Sequence, residues 1–229
     1  MYFYHKKPDS GGGSPALPAF QSFAETAMSS DGTTIAVNKP AGTVDDELLI
    51  AVISMGDAGT VTTALLAGWT ALLHDEISGT ASFQNSLSVF YKFASSEPSS
   101  YTFTMSGTTR GAAHIIRIDQ ADETTPLTSG TVNTSVDSVI VAPSVTTTLD
   151  NSLVLTILST TNTTRSATAS PTTPTLITDT DPASNSTCGW VATYKLDVAS
   201  AGATSAEQRT LNGGNGNVGV QIIVEPKLI

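Results

Sequence analysis

The sequence predicts an all-β protein: two tandem antiparallel β-sandwich units, immunoglobulin-like or jelly-roll, arising from an internal duplication and preceded by an extended N-terminal arm. Two observations carry this reading. The segment TVDDELLIAVIS at Thr43 to Ser54 returns as TTLDNSLVLTILS at Thr147 to Ser159. Composition also suits strands joined by short polar turns, with 39% hydrophobic and only 13% charged residues in a chain rich in Ser, Thr and Gly.

With an offset of 105, Leu48 meets Leu153, Ile50 meets Leu155 and Val52 meets Ile157, while Leu49 meets Val154 and Ile53 meets Leu158. Both copies are nearly continuous apolar runs, the pattern of a central strand covered on both faces. Upstream, TTIAVNKPAG aligns with SVIVAPSVTT, so Ile35 faces Ile140 and Val37 faces Ala142. Downstream, the shared Tyr-Lys step aligns LSVFYKFAS with WVATYKLDV, placing Leu87 on Trp190, Val89 on Ala192, Tyr91 on Tyr194 and Phe93 on Leu196. The closing segments AAHIIRID and VGVQIIVEP pair Ala112, His114, Ile116 and Ile118 with Val218, Val220, Ile222 and Val224.

In order, strands are expected near Phe23 to Met28, Thr34 to Asn38, Glu47 to Met55, Trp69 to Asp75, Ser86 to Ala94, Tyr101 to Ser106 and Ala112 to Asp119, then again in the second half. Clusters such as SSEPSS and NGGNGN read as turns, the latter as a hairpin turn. The expected organisation is an arm over residues 1–20, one sandwich over 21–125 and a second over 126–229, with the boundary near TTPLTSG. A single larger sandwich of two pseudo-symmetric halves is the other arrangement these data allow.

The arm, MYFYHKKPDSGGGSPALPAF, is built for contact rather than for a core. Gly11 to Gly13 loosen it, and Pro8, Pro15 and Pro18 oppose a helix or central strand. Its tip concentrates Tyr2, Phe3 and Tyr4, then Lys6 and Lys7, in a chain that is only 6% aromatic. These five residues are the expected capsid- or subunit-binding group. No apolar run follows the lysines, so no cleaved secretory signal is expected, and no stretch is apolar enough to span a membrane.

A formal charge of −10 argues against direct contact with nucleic-acid phosphates. One cysteine, Cys188, excludes an intrachain disulfide and reads as an inert thiol. His114 falls opposite Val220 on an apolar face and reads as a core residue. His74, beside Asp75 and Glu76, reads as a solvated strand end. TDTDP at Thr178 to Pro182 lacks the glycine and distal glutamate of a calcium loop and reads as a turn. NGGNGN lacks the lysine of a phosphate loop, and no serine has nucleophile-elbow flanks. The Asn-X-Ser/Thr matches at Asn133, Asn162 and Asn185 are those expected by chance in a Ser/Thr-rich chain. These readings leave no catalytic group, metal site or cofactor. Trp69 in AGWTALL is the candidate glycan contact, because an exposed indole stacks on a pyranose face, whereas Trp190 reads as core.

The run KPAGTVDDELLIAVIS, then GWTALL, then LSVFYKFASSEPSSYTFTMSG, then AAHIIRID is similar to structural proteins of tailed bacteriophages. The resemblance covers residues 33 to 125 well and the rest weakly, and DDELLIA stands where a Gly-Asp pair is usual. It implies a virion protein made in the host cytoplasm: a head decoration (cement) protein on the outer capsid surface, bound to the major capsid protein or other virion subunits and homo-oligomeric on the particle. The alternative it implies is a glycan-binding tail-fibre, head-fibre or adhesin module meeting a host-surface glycan.

Overall fold

The computed structural model describes residues 16–56, 61–77, 84–161, 167–182 and 189–228. The first half contributes β1 (Ala19–Ala27), β2 (Gly32–Asn38), β3 (Leu48–Gly56), β4 (Thr70–Ile77), β5 (Asn85–Phe93) and β6 (Ser100–Asp119). The second contributes β7 (Leu127–Ser129), β8 (Asn133–Ala142), β9 (Thr146–Thr147), β10 (Ser152–Thr161), β11 (Ala167–Ala169), β12 (Thr175–Thr180), β13 (Gly189–Val198), β14 (Gly202–Ala203) and β15 (Glu207–Val224). All pairing is antiparallel, so the all-β sandwich reading holds.

The main sheets share one order, β6-β3-β5-β4 in the first half and β15-β10-β13-β12 in the second. The apolar strands β3 and β10 lie inside and bury both faces, as continuous Leu/Ile/Val runs require. One face of each sheet packs on the other. Leu48, Ile50, Val52, Leu87 and Ile116 meet Leu153, Leu155, Ile157, Val191 and Ile222 in a core shared by the halves. The opposite faces carry separate outer cores. In the first half Leu49, Ala51 and Ile53 pack beneath Ile35, Val37 and Phe103, and in the second Ile140, Ala142 and Leu158 pack with Trp190 and Tyr194. The halves are thus sandwich-like on their outer sides, while their main sheets form one pseudo-symmetric sandwich between them.

Three sequence expectations change. Tyr101 to Ser106 and Ala112 to Asp119 are one strand, β6, whose first part pairs with β2 and whose second lies between β1 and β3. At the switch the partner of β2 jumps five residues, from Thr104 to Thr109, while β2 advances two, from Thr34 to Gly32. β15 does the same, from Thr210 to Asn215 against Val139 to Asp137. NGGNGN is therefore an enlarged bulge inside a strand instead of a hairpin turn, and Gly213 at φ 101° supplies the backbone only glycine adopts freely. Likewise Thr178, Asp179 and Thr180 of TDTDP belong to β12.

The third change is register. Val52 pairs with Val89 and Ile157 with Thr193, so Leu87 corresponds to Val191 and Phe90 to Tyr194. The Tyr-Lys match is one residue out of step, and a one-residue slip exchanges sheet faces. Hence Trp190 is core, as expected, but in the outer core and not on the face of Leu87. β1 begins at Ala19, so Ala19 and Phe20 belong to the body rather than to the 1–20 arm.

Candidate functional site

The arm-tip residues Tyr2, Phe3, Tyr4, Lys6 and Lys7, together with His5 and Cys188, lie outside the described residues. The root of the arm is described. The backbone N–H of Ala16 donates to the carbonyl of Lys227 at 3.1 Å, Lys227 donates to Gln120 at 3.0 Å, and Asp122 donates to Glu225 at 2.9 Å. The start of the body, the linker between halves and the C-terminal segment are thereby tied into one seam. The seam is acidic: Lys227, paired with Glu123, also feels Asp46 and Asp119, and these carboxylates hold its ammonium above the usual lysine range.

Beside the seam the halves differ. In the first, Arg117 on β6 reaches across the sheet, its Nε 2.6 Å from Glu47 Oε2 and its Nη1 donating to the carbonyl of Ala41 at 2.9 Å. Ser22 donates to the same carbonyl at 2.8 Å. Register assigns Arg117 to Ile223, because Arg117 pairs with Leu49 and Ile223 with Val154. Continuing the offset of 105 assigns Ala41 to Thr146 and Glu47 to Ser152. Without the guanidinium the second half keeps an open groove of about 410 Å³. Val145 and Ile223 form its floor, and the hydroxyl-bearing Thr128, Ser129, Thr131, Ser144 and Thr146 line its walls. Thr128 Oγ1 lies 3.5 Å from Glu225 Oε1, while Glu225 Oε2 is buried with no partner. Burial, with the nearby Asp122 charge, raises the pKa of Glu225.

Trp69 is not an exposed platform. It is 5% exposed and packs edge-on against Tyr101 and Phe103, with ring centroids 5.2 and 5.7 Å away. A hollow of about 330 Å³ beside it includes Lys92, Glu97 and Tyr101, but these satisfy one another. Lys92 pairs with Glu97 Oε1, and the Tyr101 hydroxyl donates to Glu97 Oε2 at 2.7 Å. Burial opposes the Glu97 charge, yet the hydrogen bonds from Lys92, the Ser95 N–H and Tyr101 outweigh it and lower the pKa.

In the second half the aromatic cluster gives way to ions. Phe103 corresponds to Arg209 and Tyr101 to Glu207, since Ile35 pairs with Phe103 and Ile140 with Arg209. The Arg209 guanidinium stacks over Trp190, 4.3 Å from the ring centre, and bonds Asp179 at 3.0 Å. This cluster escaped the sequence reading because the Tyr-Lys misregister hid its counterpart.

His114 is fully buried between the sheets, its Nε2 2.8 Å from Thr193 Oγ1, as a core residue should be. Desolvation alone holds its pKa down to about 3. His74 contacts Ser88 at 2.8 Å and lies 3.9 Å from Glu76. Among the described residues no three His, Cys, Asp or Glu side chains converge as a metal site, and no helix is long and apolar enough to cross a membrane.

No family model, curated protein or solved structure matches the chain.

Proposed function

We propose that the chain is a non-enzymatic structural protein of a tailed-phage virion, a decoration protein that binds the outer head surface through its N-terminal arm and the sandwich body. The observation that carries this reading is the pinned root. A cationic, aromatic arm leaves from Ala16, and the Ala16–Lys227–Gln120 backbone chain joins that point to both halves at once. Tension on the arm is then shared by two sheets with a common core instead of peeling one edge strand. The resemblance of residues 33 to 125 to phage structural proteins supports the same assignment. Partners would be the major capsid protein and neighbouring copies, the contacts repeating over the shell.

The glycan-binding alternative expects an exposed indole at Trp69, and that indole is packed inside the outer core. Copy number in purified virions, by quantitative mass spectrometry against the major shell protein, tests the proposal. Hundreds of copies support head decoration. A handful would move the protein to the tail or a fibre, and absence would overturn the virion reading.

A further inference from the structure

The stretch NGGNGN holds the two Asn-Gly steps of the chain, Asn212-Gly213 and Asn215-Gly216. In such a step the asparagine side chain is open to attack by the backbone nitrogen that follows it, because glycine neither shields that nitrogen nor restricts its approach. The fold treats the two steps in opposite ways.

Asn215 is only 6% exposed, and its Nδ2 donates to the Gly213 carbonyl at 2.7 Å. It pairs with Asp137 of β8, while Gly216 lies between Val136 of β8 and Thr161 of β10. The side chain and the nitrogen after it are both held. Asn212 and Gly213, by contrast, are exposed and fall where the ladders skip β15: pairing to β8 passes from Thr210 to Asn215, and pairing to β11 reaches only Leu211. Among the described residues neither has a cross-strand partner. Gly213, at φ 101°, has nothing within 4 Å of the place a Cβ would take.

We propose that Asn212 is a site of spontaneous hydrolytic modification. The Gly213 nitrogen gives up its proton and bonds to the Asn212 Cγ, the bond from Cγ to the side-chain nitrogen breaks, and ammonia leaves carrying that proton. Water then opens the resulting succinimide at either carbonyl, leaving aspartate or isoaspartate at position 212. Each event adds one negative charge to a chain of net charge −10. Isoaspartate also lengthens the β15 backbone by one carbon, which the unpaired bulge can absorb. The inference is independent of the virion reading.

The duplication supplies a control. Thr34 pairs with Thr104 as Val139 pairs with Thr210, and both ladders then skip the same number of residues, so Asn212-Gly213 corresponds to Ser106-Gly107. Serine therefore fits this bulge, and Asn212→Ser should keep the fold.

The test holds the purified full chain warm at mildly alkaline pH, then maps its peptides by mass spectrometry with fragmentation that separates the two aspartyl forms. A gain of about 1 Da should appear at Asn212. It should accumulate about tenfold or more faster than at Asn215, whose reaction must wait for the strand to open. In urea the two steps should react at similar rates. Asn212→Ser should retain the Tm and remove most of the ammonia released by the folded chain. Asn212 reacting no faster than Asn215 in the folded chain would overturn the proposal, as would a preference for Asn212 that persists unchanged in urea.

Discussion

Ser54 Oγ and Ser159 Oγ lie 2.6 Å apart, and the two serines are 105 residues apart in the chain, the same offset that relates the repeated segments. The two halves therefore touch at matching positions. Asn85 Nδ2 donates to Ser159 Oγ at 2.9 Å, and Ser54 also reaches the Trp190 carbonyl at 3.1 Å, so a small buried network closes the shared core. Ser159→Ala should cost about 1–3 kcal/mol by leaving Asn85 and Ser54 under-bonded. The Ser54→Ala/Ser159→Ala pair should cost less than the sum of the two single changes. Urea unfolding of the three variants measures both, and strict additivity would break the network interpretation.

His114 makes stability depend on acid. Its folded pKa of about 3 lies below the ordinary 6.5, so between these values the unfolded chain binds the extra proton. Stability contributed by neutral His114 is complete above about pH 6.5 and falls as pH drops towards 3, by about 1.4 kcal/mol per unit at most. The equivalent of His114 is Val220, and that of its partner Thr193 is Val89. His114→Val/Thr193→Val should flatten this slope in urea titrations across the window while retaining the fold.

Trp69→Ala should act on folding. Removing an indole packed between Tyr101 and Phe103 costs about 3–5 kcal/mol. Thermal unfolding should show a large fall in Tm. An unchanged Tm would mean the indole is not in the core.

Truncation separates arm from body. A chain beginning at Ala16 should keep its far-UV circular dichroism and Tm yet lose attachment to particles. A chain beginning after Phe20 should also lose stability, because Phe20 packs on the shared core and pairs with Ile118.

At Gly189 the backbones of the two halves approach closely. A Cβ there would lie 2.5 Å from the Met55 nitrogen, in the opposing half. Gly189→Ala should destabilise by about 1–3 kcal/mol or more, whereas Gly202→Ala, with open space around it, should be nearly neutral. Equal midpoints for the two would contradict this packing.

The central strands were legible because burial on both faces leaves a nearly continuous apolar run, as in Leu48 to Ile53 and, broken only by Thr156, Leu153 to Leu158. The closing strands were legible for the same reason, including His114 opposite Val220. β5 and β13 were misaligned because a shared Tyr-Lys pair outweighed the pattern of faces, and only pairing to β3 and β10 fixes the step. The bulge in β15 reads as a turn and that in β6 as a break between two strands, because glycine marks both. The groove had a signal: aligning AAHIIRID with VGVQIIVE sets Arg117 against Ile223. Its meaning depended on Arg117 reaching Ala41, a contact between strands far apart in sequence.

The hydrogen bond from Ala16 to Lys227 joins residues made more than two hundred positions apart. During synthesis Ala16 emerges before the body, but its attachment point closes only after the second half has been translated and folded. While the second half is unfolded Ala16 has no Lys227 carbonyl to meet, so a load applied ahead of Ala16 would reach the first half alone. In the shell-binding role proposed above, such a closure would decide which copies can bear load through the arm.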